Sequence, residues 1–339
     1  MLDNAPFPGP PGNGSDSGHM HAEHIVVPVL DALILVLGCG GHSLVMVILC
    51  GRRKRRGASS SRGSGTASGT NILLLALSAA DLVLLSTLPF HAAAVALRRW
   101  PFGGLLCQLV SFVGAACSSA SAFTLAILAV SRYLTVVKPA KAYSYLSARR
   151  VALTAALLWV PACALAAPQL AFRTVGTPGH AQESLACFTF LSHGEQVAYG
   201  LCFFLLSFLL PLATIAVAYV RIFVFLRQSK RGGRAPQLER YQSQVTQTSI
   251  MLVIAFAACW LPSYGLTLVL LAGNNWVVTG SSPRYGPFVA FARFMATSST
   301  VANPILYVLM SRKFRQDLLV LVCKKGPGTR GAVSVATVA

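Results

Sequence analysis

Seven apolar runs, each about as long as a bilayer is thick, divide almost the whole sequence between them. A helix of roughly 20 apolar residues spans the hydrocarbon core. The runs lie at about 25–50, 70–97, 105–134, 150–171, 196–226, 244–271 and 285–309, each bounded by Gly, Pro, Ser or basic clusters. In lipid a spanning segment must satisfy its own backbone hydrogen bonds, so runs of this length fold as helices. Only 11% of the 339 residues are charged, far below the level of about a quarter usual in soluble domains. The sequence therefore predicts an all-α membrane protein: an N-terminal tail at 1–24, a seven-transmembrane helix bundle at 25–309, and a short amphipathic interfacial helix with a tail at 310–339. No tail or loop has room for a separate globular domain, so the bundle must carry the function.

The net charge is +19, and its placement matters more than its sum. With the N-terminus outside, 23 of the 28 Lys and Arg fall on the cytoplasmic side, and only Arg98, Arg99, Arg173, Arg284 and Arg293 fall outside. This is the positive-inside pattern, and it makes nucleic-acid binding unnecessary as an explanation. An odd number of spans then puts the C-terminus inside. The basic run Arg52-Arg53-Lys54-Arg55-Arg56 directly follows the first span, where it holds anionic lipid headgroups at about 1 kcal/mol per residue. The Ser/Gly/Thr-rich stretch after it, to about Thr70, buries too little apolar surface to fold and reads as a flexible linker. The first apolar run is too long for the core of a cleavable leader, so the first helix is expected to insert directly.

Asn13-Gly14-Ser15 fits a glycosylation acceptor on the outer side, with a chance match in a polar tail as the alternative. Most of the nine cysteines lie within apolar runs, where a thiol behaves as a small hydrophobe. Cys107 opens the third run and Cys187 lies in the second outer loop; both face the oxidising side, so a disulfide between them is expected. Cys323, beside Lys324 and Lys325 after the last span, is placed either for palmitoylation or as a plain thiol. Between them, Ser311 to Leu319 sets Phe314, Leu318 and Leu319 on one helical face with charge opposite, as in an interfacial helix lying along the inner leaflet.

Asp81 stands inside the second run, where a carboxylate costs roughly 3 kcal/mol on the insertion scale; intramembrane ionisable residues mark function by default. Prolines punctuate the fifth, sixth and seventh runs: Pro211 with Tyr219 eight residues on, Cys259-Trp260-Leu261-Pro262, and Asn303-Pro304-Ile305-Leu306-Tyr307. Each removes a backbone bond and leaves a hinge. Together with Ser131-Arg132-Tyr133 at the inner end of the third run and Trp159 in the fourth, these motifs resemble the rhodopsin-like (class A) G-protein-coupled receptor family across nearly the whole chain.

That resemblance implies a multi-pass plasma-membrane receptor that binds an extracellular ligand, activates heterotrimeric G proteins and engages arrestin. It implies roles for Arg132 and Tyr133 in G-protein coupling, and for Tyr219, Trp260, Pro262, Asn303, Pro304 and Tyr307 in activation. In the family the Asp81 position binds a sodium ion as an allosteric modulator, with Ser121, Ser299 and Asn303 at the matching positions. Here His42 replaces the usual asparagine nearby. A charged imidazole would pair with Asp81 and repel the ion, whereas a neutral one would only hydrogen-bond, so His42 is expected to make the resting state pH-sensitive. No other cofactor is expected. A second departure is Ser131, where the family usually has an acid holding the following arginine; Gln242, the equivalent helix-six position, is not acidic either. A hydroxyl cannot form the charge-assisted pair that a carboxylate gives, so signalling without ligand is expected.

The ligand classes narrow in the same way. Gly114 replaces the aspartate that amine receptors use, and Thr297 replaces the lysine that holds retinal in opsins. The small residues from Gly114 to Ser121 pack helices closely or leave a roomy pocket around Gly114 and Ser118, with His91, Gln108, Tyr264, Thr267 and Arg293 converging on it. Arg293, several residues inside the last run, has no obvious acid facing it in the sequence; a ligand carboxylate or peptide C-terminus is one partner for it, and snorkelling to the surface is the alternative. Leu88-Pro89-Phe90, Arg99-Trp100-Pro101-Phe102-Gly103 and the stretch from Glu23 to Leu37 look like peptide receptors of the galanin, somatostatin, opioid and chemokine neighbourhood, a branch that commonly acts through inhibitory G proteins. An extracellular peptide or another anionic ligand, including a lipid or carboxylate metabolite, fits this reading. Two rivals remain: a transporter or channel, which needs a continuous polar path, and a receptor-like protein that works through arrestin alone. The loops hold no metal-ligand cluster, nucleophile elbow or phosphate loop, so an enzyme is not expected.

Overall fold

The computed structural model describes residues 14–58, 65–176, 185–189, 193–231, 236–272, 286–310 and 312–323. Its helices follow the apolar runs. The first run is α1 (Gly14–Ala58), the second is α2 (Gly65–Leu85) with α3 (Leu88–Leu97), and the third is α4 (Gly103–Val137). A short α5 (Pro139–Tyr145) leads to the fourth run, divided into α6 (Ala148–Leu157), α7 (Trp159–Ala166) and α8 (Pro168–Phe172). A hairpin of β1 (Arg173–Gly176) and β2 (Ala186–Thr189) follows. The fifth run is α9 (His193–Phe204), a π-turn at Leu205–Leu209 and α10 (Leu210–Arg231). The last two runs are α11 (Pro236–Ala272) and α12 (Gly286–Met310), and α13 (Arg312–Cys323) ends the described chain. Asn13 lies outside the described residues, as do the side chains of Gln242, Tyr307 and Cys323.

Among the described residues five helical segments are long and apolar enough to cross a bilayer: Ile25–Gly51, Gly69–Leu97, Gly103–Val137, Ala148–Phe172 and Gly194–Ser229. The α11 helix adds a shorter apolar stretch at Val253–Val269. The outward faces carry large apolar side chains in the open, Val36 and Leu105 at 70% exposure among them. Apolar surface of that extent is stable only against hydrocarbon or a partner.

Prolines set the breaks within the spans. Pro89, the second residue of α3, has no N–H for the Leu85 carbonyl; just before it, the hydroxyls of Ser86 and Thr87 bond the carbonyls of Val83 and Leu84 at 2.6 and 2.7 Å. Pro168 opens α8 after Ala167. The π-turn ends two residues before Pro211; its extra residue turns Ser207 and Phe208 inward, where both are buried.

The α4 helix is the axis of the bundle. Two-thirds of its apolar stretch, 67%, is buried, against 22% for the fourth span. It packs on α2 and α10, while α11 and α1 pack on α12. The main core gathers Val45, Leu49, Leu73, Leu77, Leu125 and Ile215. At Gly41 an added Cβ would sit 2.8 Å from the Pro304 ring, so α1 meets α12 closely at the proline hinge only because that position has no side chain. On α13, Phe314 is buried and Leu318 packs on the main core, while Leu319 is exposed.

Candidate functional site

A polar cluster lies at the centre of the bundle. Asp81 on α2 accepts a hydrogen bond from the Ser121 hydroxyl on α4 at 3.0 Å and from the Asn303 amide on α12 at 2.6 Å. His42 on α1 comes within 3.4 Å of the same carboxylate through Nε2, and the Thr300 carbonyl lies 2.7 Å from that nitrogen. A carbonyl oxygen can only accept, so Nε2 carries the proton and donates to it. All these side chains are buried. Four helices are thus joined through one carboxylate.

These residues do not fit a sodium ion. A hard cation wants a shell of oxygen lone pairs, and here the Asp81 oxygens accept from the Asn303 amide and the Ser121 hydroxyl, with His42 Nε2, whose proton goes to Thr300, 3.4 Å from one of them. Ser299, expected as a ligand, turns its hydroxyl to the Ala296 carbonyl at 2.7 Å. The two buried atoms left without a partner here are Ser78 Oγ and His42 Nδ1, and they do not complete such a shell.

A second polar region lies at the end of the bundle closed by the β-hairpin. Cys107 at the start of α4 is bonded to Cys187 on β2, with Cα atoms 5.7 Å apart. Trp100 is buried against this bridge; its indole donates to the Gly103 carbonyl, and its own N–H donates to Leu185 O at 2.7 Å. One residue past the bridge, Gln108 donates to the Arg173 carbonyl at 3.1 Å. The Arg173 Nε donates to Gln169 at 2.8 Å, and Gln169 donates to the Tyr199 hydroxyl at 3.0 Å. The charges of both Arg173 and Arg293 act on His91, whose ring lies 6.4 Å from that of Trp100. His91, Gln108 and Arg293 therefore lie in one region.

Arg293 itself is a correction. The sequence showed no acid facing it, yet its guanidinium lies 3.3 Å from the Asp31 carboxylate on α1. Sequence reasoning missed Asp31 although the signal was present: an acid inside the first apolar run and a base inside the last need each other. It also missed Gln169 and Tyr199, which nothing in a hydropathy pattern singles out.

Of the other expected ligand contacts, Gly114 has open space where a Cβ would stand. Ser118 is buried with its hydroxyl on the Ala115 carbonyl, and Thr267 bonds back to Ser263. Tyr264 is buried in packing, its hydroxyl 3.0 Å from that of Ser207. It belongs to a run of aromatic rings: Tyr199 to Phe203, Phe203 to Tyr264, Tyr264 to Trp260 and Trp260 to Phe256, at 5.9, 6.5, 6.0 and 6.0 Å between centroids. The run connects the hairpin end to the α11 hinge at Pro262.

At the opposite end Ser131 is buried and donates to the Leu128 carbonyl at 2.7 Å. Arg132 follows it on α4. Tyr133 lines a groove between α4 and α10 with Val130, Val217 and Arg221, and Tyr219 packs on the main core.

Comparison with known proteins gives one family. Residues 43–307 match the model of the 7 transmembrane receptor (rhodopsin family). The somatostatin receptor type 5 of Bos taurus is 30% identical over 97% of this chain and 86% of its own length. The somatostatin receptor type 1 of Rattus norvegicus is 28% identical over 93% of this chain and 76% of its own. The galanin receptor type 2 of Homo sapiens is 29% identical over 91% and 77%.

Proposed function

The chain belongs to the rhodopsin family of seven-transmembrane receptors, and from that premise we propose that it binds an extracellular peptide at the hairpin end and activates a heterotrimeric G protein, of the inhibitory class, at the Arg132 end. It is a receptor and not an enzyme. The reading puts the N-terminus outside and the C-terminus inside the plasma membrane, in line with the distribution of 23 and 5 basic residues between the two sides.

The observation that carries the proposal is the continuous aromatic packing from Tyr199 to Trp260 above Pro262. Close-packed rings transmit displacement because interiors are dense and shift between discrete arrangements. A ligand that moves α9 against α11 at the hairpin end therefore bears on the hinge. Swinging the inner part of α11 about Pro262 exposes the end of α4 that carries Arg132 to a G protein. Peptide recognition is supported by the somatostatin and galanin receptors among the relatives. Engagement of anionic lipid by Arg52 to Arg56 and of arrestin by the activated inner face belongs to the same reading.

The test is ligand-free nucleotide exchange on a panel of G proteins, in membranes holding the wild-type chain or Arg132→Ala at matched surface expression. Wild type is expected to exceed both the variant and empty membranes, most strongly on inhibitory G proteins. Agreement of all three preparations on every G protein would sink the coupling proposal. Arrestin recruitment would then be the reading to pursue, because Ser131 stands where the family has an acid.

A further inference from the structure

Arg293 has its acid; Arg173 has none among the described residues. Its side chain is held from behind, with Nε given to Gln169 at 2.8 Å and the backbone carbonyl fixed by Gln108 at 3.1 Å. Hairpin pairing with Thr189 and the nearby disulfide anchor its strand to α4. A guanidinium whose Nε is occupied still presents its two terminal nitrogens as a planar fork, the geometry that matches a carboxylate. Burial works against the charge and holds its guanidinium below the ordinary arginine range. A half-buried cation with no counter-ion among the described residues is costly, and a ligand anion removes that cost. The surroundings suit an organic acid: neutral donors and rings from Tyr199, Gln169, His91 and Trp100, and open space at Gly114 deeper along α4.

We propose that Arg173 receives a carboxylate of the ligand and that Arg293, neutralised by Asp31, holds α1 to α12 without contacting that carboxylate. The assignment rests on the receptor reading for its biological meaning, but its chemistry is tested separately. The carboxylate comes either from a peptide C-terminus or from a small organic acid.

The experiment uses the full chain in lipid nanodiscs and reads the shift of its thermal unfolding midpoint, because binding to the folded state alone raises that midpoint. The probes are acetyl-Gly-Ala-Phe with a free C-terminus and its C-terminal amide, and 3-phenylpropionate and its amide. Each acid is expected to raise the midpoint of wild type more than its amide, with the discrimination reduced in Arg173→Lys and abolished in Arg173→Gln. A larger shift with the peptide acid identifies a peptide terminus as the source, and a larger shift with 3-phenylpropionate identifies a small acid. Equal behaviour of acids and amides on wild type, whether all shift it or none do, overturns the proposal. So does discrimination that survives Arg173→Gln and vanishes in Arg293→Gln, which would move the anion to the other arginine. If Arg173→Gln fails to reach the membrane, Gln169→Leu, which frees Nε and unseats the fork, must reduce the discrimination. Failure of the receptor reading is visible elsewhere, as loss of Arg132-dependent nucleotide exchange, so the two can fail independently.

Discussion

His42 stands 3.4 Å from the buried carboxylate of Asp81, and replacing it tests whether that carboxylate can take a cation. The resemblance to the rhodopsin-like family placed Asp81, Ser121, Asn303 and His42 in one group, but it could not say how the lone pairs are shared. That depends on which way Nε2 points, and the Thr300 carbonyl sets it. Wild-type protein in nanodiscs is expected to unfold at the same temperature in sodium chloride and in N-methylglucamine chloride of equal ionic strength. His42→Asn, which removes the histidine N–H, is expected to gain a sodium-dependent rise in midpoint. A sodium rise already present in wild type and absent in Asp81→Asn would show that the site takes the ion despite the histidine. The pair Asp31–Arg293 is the second residue-level case. Asp31→Asn leaves a guanidinium with no partner and should lower surface expression, while Asp31→Asn with Arg293→Gln should recover much of it. A double-mutant cycle is expected to return a coupling of about 1 kcal/mol, within the range for contacting residues. Additive losses would mean that the two side chains are neighbours without being partners.

At the level of elements, hydropathy located the seven apolar runs but neither the short α5 nor the breaks inside the spans. The second run reads as continuous from 70 to 97, yet the helix parts at Ser86–Thr87, where Pro89 has no N–H for the Leu85 carbonyl and the two hydroxyls bond the carbonyls of Val83 and Leu84. The π-turn before Pro211 is likewise invisible to a pattern of apolar residues, since Leu205 to Leu209 is apolar all round. Contacts that depend on the absence of a side chain are harder still to read. Gly41 looks like an ordinary residue of a Gly-rich stretch, but it is where α1 touches the hinge of α12. Gly41→Val puts branched carbon into a ring 2.8 Å from the Cβ position. The Pro304 ring cannot rotate away, so the two helices must separate. A loss of about 1–3 kcal/mol, typical of overpacking, is expected as a lowered midpoint. Gly40→Ala, which meets nothing within 4 Å, should leave the midpoint near wild type or raise it slightly, because alanine is the better helix former, and equal losses at both positions would show that contact with the Pro304 ring is not the cause.

For the molecule as a whole, the sequence singled out Arg132, Trp260 and Tyr264, whereas Tyr199, Phe203 and Phe256, the other rings of the run, drew no notice until their spacing was known. A device that couples two ends works only if its resting arrangement is favoured by a modest margin. The sequence expected that margin to be small because Ser131 precedes Arg132, and in the structure the Ser131 hydroxyl is spent on the Leu128 carbonyl of its own helix. Whatever else engages Arg132, a carboxylate at position 131 would add a charge-assisted bond to the resting state, and such bonds contribute about 1.5–3 kcal/mol. If the inactive arrangement gains that much relative to the active one, the active population falls roughly 10- to 150-fold, since each 1.4 kcal/mol is a factor of ten. Ser131→Asp is therefore expected to bring ligand-free nucleotide exchange down to the level of empty membranes at unchanged surface expression, while Ser131→Ala, which adds no charge, should not lower it. Exchange that stays at the wild-type level in Ser131→Asp would place the control of the resting state elsewhere, at the Asp81 cluster that ties α1, α2, α4 and α12 together, and His42→Asn would then be the variant in which basal signalling changes.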